Sequence, residues 1–298
     1  MNIKNDKVRK TRFGYYELAV KPTAQELETY YASKYYQENE KVYKRSYTDE
    51  EIIYINNKIL QKYLILAEKI NSSEKTRPSL LDIGAGEGWT IKFFKDKKWD
   101  VVGIDYSEFG CRTHNADLLN DFYICPIDEG IRLLIDQEKK FNVIWIGNVL
   151  EHILEPYLIL EEANKLIKEK GILVAQVPND FSIIQDRLLK EGYITEQFWV
   201  VAPDHINYFN KESLINLCHE TGWEAIDCIS DYPIDFCLFN ENTNYYKDKH
   251  TGQSCHKQRL EIENFLHSIS PQKTNQLYRA LADMGLGRNI TVFFTKRS

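Results

Sequence analysis

The chain has 298 residues, enough for one large domain or two small ones with a substantial core. Hydrophobic residues make up 43% and charged residues 28%, ordinary globular proportions that argue against wholesale disorder. The formal net charge is -6 with no basic stripe, which argues against a nucleic-acid partner gripped by its phosphates.

Residues 1–75 read as an N-terminal helical cap. The opening residues are basic, but no apolar stretch follows them, so they do not read as a secretory signal. Thr23 and Glu26 have capping-box spacing and open a short helix through Tyr30 and Tyr31. Thr48 and Glu51 repeat the box before a longer helix, where Ile52, Ile59, Leu60, Tyr63, Ala67 and Ile70 share an apolar face. From Leu80 the rhythm changes. Short apolar strands are predicted over 80–83, 101–104, 122–125, 143–146 and 172–177. Helical patterns over 89–97, 107–119, 130–139 and 156–168 fill the gaps, the last closed by Gly171. Such alternation predicts a parallel sheet covered on both faces. A helix over 211–221, a strand over 223–229 and a last strand over 290–295 complete the core. The roughly 60 residues between those two strands are too many for a hairpin. They read as a folded insertion, helical over 257–269 and 271–284. The organisation is therefore a cap at 1–75, an α/β core at 76–229, an insertion at 230–289 and a closing strand at 290–298.

No apolar run approaches the roughly 20 residues needed to span a bilayer, so no membrane insertion is expected. Cys111, Cys125, Cys218, Cys228, Cys237 and Cys255 form no CxxC pair. That argues against a metal site and a disulfide framework, and for a reducing cytoplasm. The 19 tyrosines suggest a pocket for something polar and partly flat.

The most informative segment runs from Leu80 to Trp89, where a buried strand enters the turn Gly84-Ala85-Gly86-Glu87-Gly88 and then a helix. Glycines in such a turn permit positive φ and close approach of a ligand to the backbone. A dinucleotide fingerprint would place its third glycine at position 89, where tryptophan stands. This disfavours a nucleotide-dependent oxidoreductase. Asp105 follows Gly84 by 21 residues at the tip of the second strand, where a carboxylate can accept both hydroxyls of a ribose.

The pattern from Asp82 to Gly88 resembles motif I of class I S-adenosylmethionine-dependent methyltransferases. Three later segments resemble the small-molecule branch of that family, which includes quinone and sugar modifiers: Leu150-Glu151-His152 with Pro156, Gly171 to Asn179, and His205 to Leu214 with Thr221-Gly222-Trp223. The likeness covers about residues 78–230 and the closing strand. The tyrosine-rich N-terminus and the long insertion look like those of methyltransferases of bacterial surface-glycan assembly. The resemblance implies a Rossmann-like seven-stranded sheet with its last strand antiparallel, S-adenosylmethionine as cofactor and S-adenosylhomocysteine as product. It implies cofactor binding by Asp82, Gly84, Gly86, Gly88, Asp105, Tyr106, Asp128 and Asn148. Asp128 has an equal reading as a helix N-cap.

In an open α/β sheet the ligand lies beyond the carboxyl ends of the strands, and the distinctive polar residues fall there. His152 and His205 are the candidate bases, since histidine titrates near neutrality; either can equally be structural. Substrate contacts are expected from Tyr35, Tyr36, Asn179, Asn244, Tyr245, His256, Arg259 and Arg288. The helical spacing of His256, Arg259 and Glu263 fits either a binding face or an exposed i,i+4 ion pair. The expected activity is methyl transfer to oxygen or nitrogen of a small polar acceptor, such as a sugar or nucleotide-activated intermediate. The alternatives are a quinone or small aromatic methyltransferase and a non-catalytic cofactor-binding partner protein.

Overall fold

The computed structural model describes residues 6–27, 29–30, 46–70 and 77–297. Its first elements are a hairpin, β1 (Val8–Lys10) with β2 (Tyr16–Leu18), which the sequence pattern did not announce. Three-residue strands are too short to show alternation. The Thr23–Glu26 capping box follows, with each residue's backbone N–H bonded to the other's side chain. Helix α1 (Asp49–Lys69) starts at the predicted Thr48 capping box.

The main sheet takes strands β3 (Ser79–Ile83), β4 (Asp100–Asp105), β5 (Phe122–Ile124), β6 (Phe141–Gly147) and β7 (Ile167–Pro178). After β8 (Asn207–Tyr208), which joins the N-terminal hairpin, come β9 (Trp223–Ser230) and β10 (Asn289–Lys296). The spatial order is β5-β4-β3-β6-β7-β10-β9. β3 to β7 pair in parallel, while β10 runs antiparallel to both β7 and β9. The predicted strands recur with ends shifted by a few residues. The exception is β7, which begins at Ile167 rather than after Gly171. Ile167 already pairs with Phe141 across a register shift, so the helix before it ends at Leu166. Gly171 lies inside the strand, where a Cβ would meet the Ile167 side chain at 2.7 Å and the Asn142 carbonyl at 3.0 Å.

Strand parity sorts the core onto two faces. Leu81, Ile83, Ile144 and Ile146 pack with α4 (Ile127–Asp136), α5 (Pro156–Leu166) and α7 (Lys211–Glu220). Leu80, Val143 and Trp145 pack with α1, α2 (Trp89–Asp96) and α9 (Pro271–Asp283). The short α3 (Phe109–His114) follows β4, and α6 (Ile183–Lys190) follows β7. A third cluster, with Leu18, Leu188, Trp199, Tyr208 and Leu238, joins the hairpin, α6 and the stretch after β9.

The insertion holds a 3-10 segment (Ile234–Phe239) and two helices, α8 (Thr251–Ile269) and α9. These helices dock on α1. Asn57 donates to Asn264, the Lys58 ammonium reaches Glu263 at 3.3 Å, and Asn275 donates to the Gln61 carbonyl. The helical body of the insertion thus forms part of the layer over one sheet face, while its two ends reach the carboxyl edge of the strands. Among the described residues no helix is long and apolar enough to cross a membrane, and all six cysteines are free thiols.

Candidate active site

Gly84, Gly86 and Gly88 all have positive φ, at 74°, 53° and 81°. A Cβ on Gly84 would meet Val149 Cγ2 at 2.3 Å, whereas a Cβ on Gly86 would meet nothing within 4 Å. The turn is therefore packed from below and open at its crest. Asp105 closes the neighbouring side. Its carboxylate accepts from the Gly86 N–H at 2.8 Å and from the Ser107 N–H at 2.9 Å. Burial raises the Asp105 pKa, and the backbone donors from Ser107, Gly86 and Tyr106 oppose that rise. Tyr106 stands beside it at the surface.

Asp82, beneath the turn, is 3% exposed. Burial, then the Asp105 charge, pushes its carboxyl up to about 8, against a stabilising hydrogen bond with Thr90. In the unfolded chain the group ionises near 3.8, so between these values the folded chain holds the extra proton. Each pH unit gained between pH 5 and 7 then costs the native state about 1.4 kcal/mol through this group. We expect Asp82→Asn to remove that slope, so that the variant gains on wild type by about this amount per unit. Urea unfolding of both proteins at pH 5, 6 and 7 checks it; parallel pH profiles would refute it.

Glu87, also in the turn, receives the Tyr47 hydroxyl at 2.8 and 2.9 Å and the Trp89 indole N–H at 2.6 Å. His114 Nε2 lies 3.5 Å away. This anchor ties the turn to Tyr47, two residues before α1. It escaped the sequence reading because Glu87 looked like an ordinary spacer between two glycines. Asp128 falls in the first turn of α4 and pairs with Arg132; the helix opens at Ile127, so Asp128 is not its N-cap. Asn148 is exposed at φ 56°, and its side-chain oxygen accepts from Gln176.

Beyond β6 a 3-10 turn (Leu150–His152) carries Glu151 and His152. It is stitched to the 204–207 segment: the Ile206 N–H donates to the Glu151 carbonyl, and Asn207 donates to the carbonyls of Leu150 and Ile153. This brings His152 and His205 together, with ring centroids 4.9 Å apart and planes at 82°. His152 Nδ1 lies 2.7 Å from the Asp204 carbonyl oxygen. A carbonyl can only accept, so that nitrogen carries the proton. Glu151 is 1% exposed, and burial pushes its carboxyl up to about 8, with Asp180 adding to the rise and Arg288 opposing it. Glu151 was not among the predicted site residues, although it sits beside His152.

The expected substrate residues divide. Arg288 donates to Asp180 at 2.8 Å, and Tyr245 donates to Asp235 at 2.5 Å. Asn179 donates to the carbonyls of Gly285 and Gly287, clamping the turn that presents Arg288. Arg259 donates to Asp231 at 2.5 Å, and Asp231 also accepts from the Arg288 and Asn289 N–H groups. Arg259 and Glu263 do approach at 3.8 Å, yet the pair is buried instead of solvated. Asn244 is buried and donates to the carbonyls of Tyr193 and Leu238. His256 is exposed on α8. Tyr35 and Tyr36 lie outside the described residues. A cavity of about 1060 Å³ opens beside Phe198, Tyr245 and Tyr246, but neither the glycine turn nor the histidine pair lines it.

A family model described as "Methyltransferase domain" matches residues 53–227, more than half of the chain. The chain belongs to the class I S-adenosylmethionine-dependent methyltransferases. Curated relatives of this methyltransferase include ubiquinone biosynthesis O-methyltransferases. That of Pelagibacter ubique is 24% identical over 169 residues, 56% of this chain and 68% of the relative. That of Bartonella quintana is 25% identical over 175 residues, 57% and 68% of the two chains. Among solved structures, a SAM-dependent methyltransferase from Archaeoglobus fulgidus superposes with a TM-score of 0.53 at 15% identity. The match covers 88% of this chain and all of the other. The Burkholderia thailandensis 1,6-didemethyltoxoflavin-N1-methyltransferase, solved with bound 1,6-didemethyltoxoflavin and S-adenosylhomocysteine, gives 0.50 at 15% identity over 98% and 100%. The methyltransferase's open-crested glycine turn and the carboxylate at 105 suit the cofactor of its family: the Gly86 crest leaves room for a ligand, and Asp105 keeps acceptor sites beyond its backbone donors.

Proposed function

We propose that this methyltransferase modifies an oxygen or nitrogen of a small polar acceptor, with sugars and nucleotide-activated sugars as the favoured class. The observation that carries this reading is the set of partnered polar groups around the two ends of the insertion, where Arg288 meets Asp180, the Tyr245 hydroxyl meets Asp235 and Arg259 meets Asp231. Buried charge is costly unless partnered, and a partnered arginine retains further donors for an incoming hydroxyl or phosphate. When bound, S-adenosylmethionine supplies a methyl group already activated as a sulfonium. The chain's own tasks are alignment and proton handling. In our reading Asp105 and the 84–88 turn hold the donor. The cluster of Glu151, His152 and His205 handles the acceptor's proton. Because the His152 Nδ1 proton faces the Asp204 carbonyl, Nε2 is the nitrogen that would take the acceptor's proton.

A second reading, methylation of a quinol or other small aromatic, draws on the names of the curated relatives. A panel separates the two: nucleotide sugars and free sugars on one side, catechols and quinols on the other, with labelled donor and mass-spectrometric detection. We expect methylated product from the first group; turnover confined to the second would replace our reading. We further expect His152→Ala and His205→Ala each to lower kcat by about 10²- to 10⁴-fold, the usual range for a lost acid–base group, with little change in S-adenosylhomocysteine affinity. Unaltered turnover in both variants would remove them from the chemistry.

A further inference from the structure

We infer that Glu151, His152 and His205 together form a binding site for a first-row divalent transition-metal ion. From the sequence no metal is expected, because the cysteines form no CxxC pair, and His205 lies 53 positions after His152 in the chain (205 − 152). The fold removes that distance. One donor atom from each residue, an imidazole nitrogen from each histidine and a carboxylate oxygen, lies within 4.8 Å of the others. An ion bonded at about 2.0–2.2 Å to each needs donors roughly 3–4 Å apart, so a small turn of the side chains closes the site.

Three further observations point to a ligand there. Glu151 is 1% exposed, and its Oε2 is buried with no hydrogen-bond partner. A carboxylate oxygen left so in a folded interior is costly, and a cation satisfies it directly. The His152 ring is fixed through Nδ1 against the Asp204 carbonyl, which directs the lone pair to Nε2; metal-ligating histidines are oriented in this way by their other nitrogen. The backbone beneath is rigid, since the 150–153 and 204–207 segments are cross-bonded and the Tyr208 hydroxyl holds the His205 carbonyl at 2.7 Å. Two imidazoles and one carboxylate suit zinc, iron, cobalt or manganese better than magnesium or calcium, which prefer all-oxygen shells.

Three protein ligands leave coordination positions open. Val149, two residues before Glu151, packs against Gly84, so the cluster and the glycine turn share one neighbourhood. An ion here would take His152 Nε2 as a ligand, so with the ion bound the acceptor hydroxyl would be acidified by coordination and its proton would pass to water rather than to His152. That chemical role rests on the function proposed above; ion binding does not.

The test uses the full chain, treated with a chelator and dialysed. Cobalt(II) is followed by visible absorption and zinc(II) by calorimetry. We expect about one ion per chain, with low-symmetry cobalt bands and affinity weakened at least about 10-fold by Glu151→Gln and by His205→Ala. Circular dichroism and S-adenosylhomocysteine binding report that the variants remain folded. Failure of both ions to bind at millimolar concentration, or binding that both folded variants retain, overturns the inference. Methyl transfer by a chain that binds no ion would overturn it and leave the proposed function standing. Ion binding with no acceptor methylated would support it and remove the proposed function.

Discussion

Replacing Asp105 with alanine should weaken S-adenosylhomocysteine binding by about 10²- to 10⁴-fold, measured by calorimetry. The carboxylate accepts from the Gly86 and Ser107 N–H groups, so it holds the turn and the start of the next segment in register. A carboxylate has about four acceptor directions, which leaves capacity for the hydroxyls of a ribose. Two hydrogen bonds to a charged acceptor contribute about 1.5–3 kcal/mol each, and 1.4 kcal/mol is tenfold in affinity. Loss of turn geometry alone would weaken every ligand equally. The discriminating measurement is therefore the 2′-deoxy analogue of S-adenosylhomocysteine. Wild type should bind it more weakly than the parent, whereas Asp105→Ala should bind the two alike. A variant that keeps the preference for the 2′-hydroxyl would place the ribose elsewhere.

Much of this arrangement could be read from one dimension because it depends on local chemistry. The strand–turn–helix around Gly84 is announced by apolar parity, by glycines where φ is positive and by an acidic residue one strand later. The Thr48 cap and the antiparallel last strand follow from equally local signals and from the family likeness. What escaped reading depends on distant contacts. Glu151 looked like the neighbour of a histidine, and only the docking of 204–207 shows it buried beside two imidazoles. Arg259 and Glu263 showed the right spacing for a surface pair, but Asp231 and Lys58 arrive from other elements and bury it. Asp180 was invisible because its partner, Arg288, lies 108 residues away. The insertion was correctly seen as folded. Its helices pack on α1, and the residues that reach the sheet's carboxyl edge are its two ends, a layout that no local pattern announces.

Gly84→Ala should cost the fold several kcal/mol and abolish cofactor binding, and Val149→Ala should rescue it only in part. Two separable penalties act at this position. The backbone sits at φ 74°, where an L-residue pays roughly 1–2 kcal/mol relative to glycine. The added Cβ would also lie 2.3 Å from Val149 Cγ2, a contact that cannot persist without displacement of the 149–152 segment. Because Val149 leads into Glu151 and His152, that displacement would travel from the glycine turn to the histidine pair. Val149→Ala alone opens a small void and should destabilise by about 1–3 kcal/mol. In the double variant the clash term disappears while the φ term remains. Its loss of unfolding free energy should therefore be smaller than the sum of the two single losses by about 1–2 kcal/mol, the non-additivity expected of residues in contact. Chemical denaturation of the four proteins measures that coupling. Simple additivity would mean that the turn and the 149–152 segment relax independently, and the steric link between cofactor turn and acceptor chemistry would be lost.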